Sequence, residues 1–300
     1  MDTSIRRSAD STDDKRRWGT EQRLEFIEFR LFWEGGVNRS DITSRFGVSV
    51  PQASNDLSLY KQLAGDNIHY DASEKRYLPT ANFHPRFIEP SADRYLSKLK
   101  AVADGIIGPD EALIEPLPGV DSLPIPGRRI EPPVLRALLA AARSHRSVEI
   151  HYQSMNPDRP DAIWRRITPH TFAHDGFRWH VRAFCHIEGK FKDFILSRCR
   201  GVRQEGEPGA RAEDDRHWHT FFKVVLLPNP ALSPAQRQAI VWDYHMTRGR
   251  AVVPIRCALL YYFEKRLRLD VEPEKDRPAE KPVVVENWKE FVKARDAAMA

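Results

Sequence analysis

The sequence predicts an α+β protein of several domains: a three-helix module with a hairpin, then a small β-barrel, then a small α+β domain. Three observations predict it. A chain of 300 residues holds two or three domains at about 100 to 200 residues each. Apolar positions recur at helical spacing from Thr20, then alternate with period two after Ser144. Between the two regimes lie Pro109, Pro116, Pro118, Pro124, Pro126, Pro132 and Pro133, a density that marks an extended or clamped connector. Apolar residues at 41% and aromatics at 10% fill real cores and exclude a chain that stays disordered.

Residues 1–17 are polar and rich in Ser, Asp and Arg, and read as a disordered basic arm carrying Arg6, Arg7, Lys15, Arg16 and Arg17. Residues 18–82 form the first domain. Its first helix buries Leu24, Ile27 and Leu31, widened by Phe26, Phe29 and Trp33, and stops at Gly35-Gly36. The second spans Asn38 to Phe46, with Asn38 as cap and Asp41 in the first turn, and ends at Gly47. Ser49 caps the third, where Gln52 completes a capping box and Pro51 sits in the first turn. Ala53, Leu57 and Tyr60 face inward. Ile68-His69-Tyr70 and Arg76-Tyr77-Leu78 then read as a hairpin. Three helices followed by a hairpin make a winged helix-turn-helix.

Residues 83–132 are the connector, with a helix over Ala92–Ala103. Residues 133–206 open with a helix over Val134–Ser144 and continue as strands over Val148–Gln153, Trp164–Phe172, Phe177–His186 and Lys192–Cys199. Short strands with small turns predict a compact barrel or sandwich. Residues 207–300 alternate strands at Phe221–Leu227 and Ala251–Cys257 with helices at Ser233–Tyr244 and Trp288–Ala297 and a helical or extended run over Leu259–Leu269, a small α+β domain.

Composition narrows the function. No run approaches about eighteen apolar residues, and the N-terminus carries no signal-peptide pattern, so no membrane partner is expected. Cys185, Cys199 and Cys257 are odd in number and unpaired in spacing, as in a reduced, cytoplasmic protein. The net charge is +5, yet residues 1–90 carry 13 Lys and Arg against 14 Asp and Glu. Residues 132–206 carry 13 against 7. The positive surplus belongs to the central segment.

In a helix-turn-helix the second helix of the pair presents its N-terminal residues to base edges. Ser49, Gln52, Ser54 and Asn55 occupy that position, and Gln and Asn pair bidentately with adenine. Arg39, Arg45, Lys61, Lys75 and Arg76 surround the motif and suit phosphate contacts. The bland alternative is a helical interaction domain with a solvated face.

The stretches IHYQS (Ile150–Ser154), RRITPH (Arg165–His170), GFRWHVRAF (Gly176–Phe184) and FILSR (Phe194–Arg198) together resemble a WYL domain. The order of winged helix-turn-helix, linker, WYL and a C-terminal extension of the WCX type covers nearly the whole chain. It looks most like the WYL repressors associated with BREX and related phage-defence loci, which are homodimers. The resemblance implies a small Sm-like or SH3-like β-barrel that senses a ligand. The namesake triplet stands here as Trp179-His180-Val181, so only the Trp matches outright.

Alternation along Phe177–His186 places Phe177, Trp179, Val181 and Ala183 on a core face, and Arg178, His180, Arg182, Phe184 and His186 on a basic one. Arg166, His170 and Arg198 on neighbouring strands, with Tyr152 and Ser154 supplying hydroxyls, would complete a concave cationic site. Guanidinium forks suit phosphate or carboxylate, and rings suit a stacked base. The expected effector is a nucleotide or short nucleic acid. Individually, these arginines could instead pair with Asp158, Asp161 or Glu149, and Tyr152 and Trp179 could fill a core.

No catalytic motif and no cofactor site is legible. His217-Trp218-His219 on a strand would be half a metal site, outweighed by a surface or packing role. The expected function is a homodimeric repressor of a phage-defence operon, bound to an inverted-repeat operator in double-stranded DNA and released by its effector. Three rivals remain: a ligand-activated activator, an RNA or single-stranded nucleic-acid binder using the barrel, and a partner-binding adaptor.

Overall fold

The computed structural model describes residues 5–157, 160–272 and 277–300, with side chains described from Trp18 onward. The chain forms two compact units, Met1–Pro126 and Gly127–Ala300. In the first, helix α1 (Ile5–Glu34) is followed by α2 (Arg39–Phe46), α3 (Val50–Ala64) and an antiparallel hairpin of β1 (Ile68–Asp71) and β2 (Arg76–Pro79). The backbone of the arm expected to be disordered continues α1 from Ile5. No Gly or Pro lies between Ile5 and Trp18 to stop the helix propagating from its buried C-terminal half. Residues 1–4 lie outside the described residues.

The core of this unit is Leu24, Ile27, Leu31, Ile42, Ala53, Leu57 and Tyr60, the inward positions of the three helices. A buried carboxylate locks the following segment to it. Glu28 Oε2 accepts the backbone N–H groups of Arg86, Phe87 and Ile88 at 2.8, 2.5 and 2.8 Å. Its Oε1 accepts the Tyr60 hydroxyl at 2.8 Å. Helices α4 (Ala92–Ala103) and α5 (Pro109–Ala112) follow, with Leu99, Ala112 and Ile114 packed beside Phe29 and Tyr95. The connector is clamped again at Glu115: Arg30 Nη1 donates to the Glu115 carbonyl at 2.6 Å, and Glu34 Oε1 accepts the Glu115 N–H at 2.9 Å.

The second unit opens with α6 (Pro132–Ser144), then β3 (Ser147–Tyr152), β4 (Ile163–His174), β5 (Trp179–Cys185), β6 (Lys190–Ile195) and β7 (Cys199–Gly206). These pair antiparallel in the order β6-β5-β4-β3-β7. The closed barrel expected from the sequence is therefore corrected to an open five-stranded sheet. A 3-10 turn over Leu196–Arg198 carries the chain from β6 to β7, and no ladder joins those two strands among the described residues. Helix α6 covers one face through Val134, Leu138 and Ala141, packed on Ile150, Ile167, Val181 and Ala183.

Helix α7 (Arg216–His219), β8 (Phe221–Pro228), α8 (Pro234–Asp243), β9 (Ala251–Arg256), α9 (Leu260–Arg266), β10 (Val283–Val285) and α10 (Trp288–Met299) complete the unit. Its three strands pair in the order β10-β8-β9. Leu226, Leu260, Val283 and Phe291 fill the core below them. Among the described residues no helix is long and apolar enough to cross a membrane.

Candidate nucleic-acid interface and sensor site

The turn between α2 and α3 is built from local chemistry. Asn38 Oδ1 accepts the Asp41 N–H at 3.0 Å, while Asp41 Oδ2 accepts the Asn38 N–H at 2.8 Å. Gly47 takes the left-handed conformation, φ 63°, which favours glycine. Ser49 Oγ then accepts the Gln52 N–H at 3.4 Å. The Gln52 side chain does not close the expected capping box. Its Nε2 donates to Asp56 Oδ1 at 3.0 Å, and buried Asp56 also receives Arg23 Nε at 2.6 Å. A hydrogen bond to an ionised carboxylate is stronger than one between neutral groups, which favours this placement of the Gln52 amide.

Of the expected base readers, Ser49 and Asn55 are exposed, and Gln52 and Ser54 are half-buried. Ser54 is turned back on its own helix, donating to the Val50 carbonyl at 3.0 Å. Val50, which sequence reasoning passed over, is 59% exposed at the first position of α3. Its signal was weak, because an apolar residue beside a cap reads as a staple into the core. An exposed valine there suits the thymine methyl in a major groove.

The flanking cations divide. Arg39 and Lys75 are exposed and gather with Asn38, Tyr70 and Tyr77 around a hollow of about 250 Å³ beside the hairpin. Lys61 is exposed near the end of α3. Arg76 departs from the expectation of a phosphate contact: its Nη2 donates to the Glu34 carbonyl at 3.2 Å. It lies flat on Gly36, where a Cβ would come within 2.2 Å of Nη2. Lacking that atom, Gly36 lets the guanidinium lock the hairpin to α1.

The expected sensor residues do not share one concavity. Tyr152 is buried in the sheet core, its hydroxyl accepting the Ile195 N–H at 3.2 Å and its ring edge-on to Phe194 at 5.1 Å. Burial pushes its phenol up. Arg166 is held by Ser147 Oγ at 3.1 Å and by Glu149 at 3.4 Å. Ser154 Oγ accepts the Asn156 N–H at 3.1 Å. Trp179 is 50% exposed against His174, while Arg198 is half-buried. Asp158 lies outside the described residues.

The expected division of β5 into a core face and a basic face is also corrected. Both faces are covered over residues 180–183, with His180 and Arg182 buried beside Val181 and Ala183. Phe177 and Trp179, expected in the core, are exposed because β5 starts only at Trp179. Arg182, His170 and His180 each meet a carboxylate. Arg182 donates from Nε and Nη2 to the two oxygens of Asp215 at 2.7 and 3.1 Å, and its Nη1 reaches Asp193 at 3.4 Å. His170 Nε2 lies 3.1 Å from Asp215, and His180 Nε2 lies 2.9 Å from Asp175. The Tyr262 hydroxyl donates to Asp193 at 3.1 Å. Burial pushes the Asp193 carboxyl up, while burial of Asp215 is outweighed by His170 and Arg182, which hold its carboxyl below the ordinary range.

This network joins the sheet to the elements that follow it. His217-Trp218-His219, expected on a strand, is the single turn of α7 capped by Asp215. Residues two apart on a helix point about 200° from each other, so the two imidazoles do not share a side. What the sheet does leave open is a stack missed in the sequence. Arg203 lies over the Trp164 ring at 4.0 Å, with His151 on the same ring at 5.1 Å.

Comparison with known proteins sets this geometry in a family. The BrxR transcriptional regulator winged helix-turn-helix domain matches residues 19–101, the WYL domain 133–204 and the BrxR C-terminal dimerization domain 221–291. The DNA-binding transcriptional repressor CapW of Stenotrophomonas maltophilia is 40% identical over 283 residues, covering 93% of each chain. The chain belongs to the BrxR/CapW family. CapW of Escherichia coli strain KTE188 is also 40% identical, over 92% of this chain and 91% of its own. For CapW of Pseudomonas aeruginosa the identity is 40% over 87% of each. Asp215 and α7 thus fall between the matched WYL and BrxR/CapW C-terminal segments, and the Arg182–Asp215 pair bridges a WYL strand to that intervening stretch.

Proposed function

We propose that this chain is a homodimeric, DNA-binding transcriptional repressor in the cytoplasm that holds an inverted-repeat operator with α3 of each winged helix. The observation that carries the reading is the end-to-end identity with CapW, combined with a capped α2–α3 pair whose leading residues Ser49, Val50 and Asn55 face solvent. Asn55 suits adenine, Val50 a thymine methyl, and Gln52 acts mainly by ordering Arg23 and Asp56 behind them. Arg39, Lys61 and Lys75 supply phosphate contacts. The resemblance to WYL repressors of BREX and related phage-defence loci supports a phage-defence operon as the regulated locus.

The effector reading is carried to the exposed side chains of the WYL domain. Ser154, Trp179 and Arg198 keep exposed or half-exposed surface, and the Trp164–Arg203 stack offers a face for a base. A nucleotide or short nucleic acid fits those groups, and it relieves repression if it prefers the state that does not hold DNA. Footprinting on the promoter of the protein's own operon tests the reading. Protection of an inverted repeat, lifted by short oligonucleotides in wild type but not in Arg198→Ala, is the expected result. Protection that never depends on α3 residues would defeat it.

A further inference from the structure

The first unit contains a cavity of about 450 Å³ between α1, the end of α2, residues 87–91 and α4. We infer that it is a second small-molecule site, which takes a planar aromatic carboxylate and acts on the recognition helix independently of the WYL domain.

Its wall is layered rings. Trp33 and Tyr95 stack at 4.5 Å with 24° between planes, and Phe29 stacks on Tyr95 at 6.1 Å and 26°. A cavity of this size walled by aromatics accommodates a one- or two-ring molecule. The polar end is cationic. Lys98 Nζ sits 5.0 Å from the Phe29 centroid, and Arg45 and Arg94 line the same space. Among the described residues Lys98 has no carboxylate partner, and Arg45 Nη1 has only the Asp110 carbonyl at 3.2 Å. Burial first, and then Arg45, pull the Lys98 ammonium down. An anion placed between the two cations would reverse the repulsion, while a neutral analogue would not. The acids at the rim, Glu25 and Glu89, are both exposed and in no ion pair among the described residues.

The cavity also touches the reading head. Phe46 closes its floor, edge-on to Phe26 at 5.4 Å, and Gly47 and Ser49 follow directly before α3. A ligand that shifts Phe46 moves the turn that aims α3. Coupling of this kind is reciprocal, so operator DNA would change ligand affinity by the same factor.

Calorimetric titration of the full chain with benzoate and indole-3-acetate, each against its neutral amide, tests the site. The acids should bind about tenfold more tightly than the amides, and Lys98→Met should erase that difference while keeping the amides' affinity. Hydrogen exchange should place the added protection in residues 87–98. Arg45→Gln provides a second variant should Lys98→Met fold poorly. No saturable binding of either acid at millimolar concentration would overturn the inference. So would acids and amides of equal affinity, a difference that survives both variants, or protection confined to residues 147–206.

Discussion

Arg182 grips both oxygens of Asp215 from β5, and the same Asp215 caps the N-terminus of α7, so one carboxylate starts a helix and neutralises a buried guanidinium thirty-three residues earlier in the chain. Removing one partner of such a buried pair leaves the other charge without compensation. Arg182→Met strands Asp193 and Asp215 together and should destabilise the second unit by about 3 to 5 kcal/mol. Urea unfolding followed by Trp fluorescence measures this, and a midpoint matching wild type would mean the network is dispensable.

Asp175 gives the second unit an acid-sensitive contact. Burial pushes its carboxyl up, but hydrogen bonds from His180 and from the Arg178 and Phe177 N–H groups outweigh that and hold it at about 2. A depressed carboxylate contributes stability that is fully present above its unfolded value, 3.8, and lost as pH falls through about 2. Asp175→Asn should therefore remove roughly 2 kcal/mol of stability at pH 7 and flatten the stability curve between those two values. Denaturant midpoints collected from neutral pH downward test the sign.

Glu28 should be the most sensitive position in the first unit. Three backbone N–H groups and the Tyr60 hydroxyl converge on it. Glu28→Ala takes the acceptor from four donors, of which the Tyr60 hydroxyl is buried, at about 1 to 3 kcal/mol for each one that water cannot reach. Hydrogen exchange at Arg86, Phe87 and Ile88 should rise from protected to near the unfolded rate, with the second unit unchanged.

Two surface changes separate reading from holding. Asn55→Ala should cost about 1 to 3 kcal/mol of operator preference while leaving binding to unrelated duplex unchanged. Lys61→Ala should weaken both equally and lower the salt slope by about one. Fluorescence anisotropy on operator and scrambled duplexes over a salt series distinguishes them.

Most of the first unit was legible because its signals are local. Asn38, Gly47, Ser49 and the hairpin runs each lie within a few residues of what they determine, and the structure puts α2, α3, β1 and β2 where those residues require. The sensor face was not. Alternation along β5 identifies a polar face but cannot say whether it meets water or carboxylates from Asp193 and Asp215. Hence the central surplus of arginine looked like an open anion site, while Arg182 is neutralised within the fold. Strand β7, as RGVRQEG after Cys199, lacks the apolar alternation of a strand because it is a largely exposed edge. Strand β10, three valines long, is too short to carry a period.

Repression depends on α3 reading an operator, and the most direct measurement is affinity for the protein's own promoter duplex in wild type and in a Val50→Asp, Asn55→Ala double variant. Both substitutions lie on exposed positions, so the fold should survive. Tight wild-type binding to an inverted repeat that collapses in the variant to the affinity of scrambled DNA is the predicted result. Equal affinity of the two proteins for the promoter would contradict it.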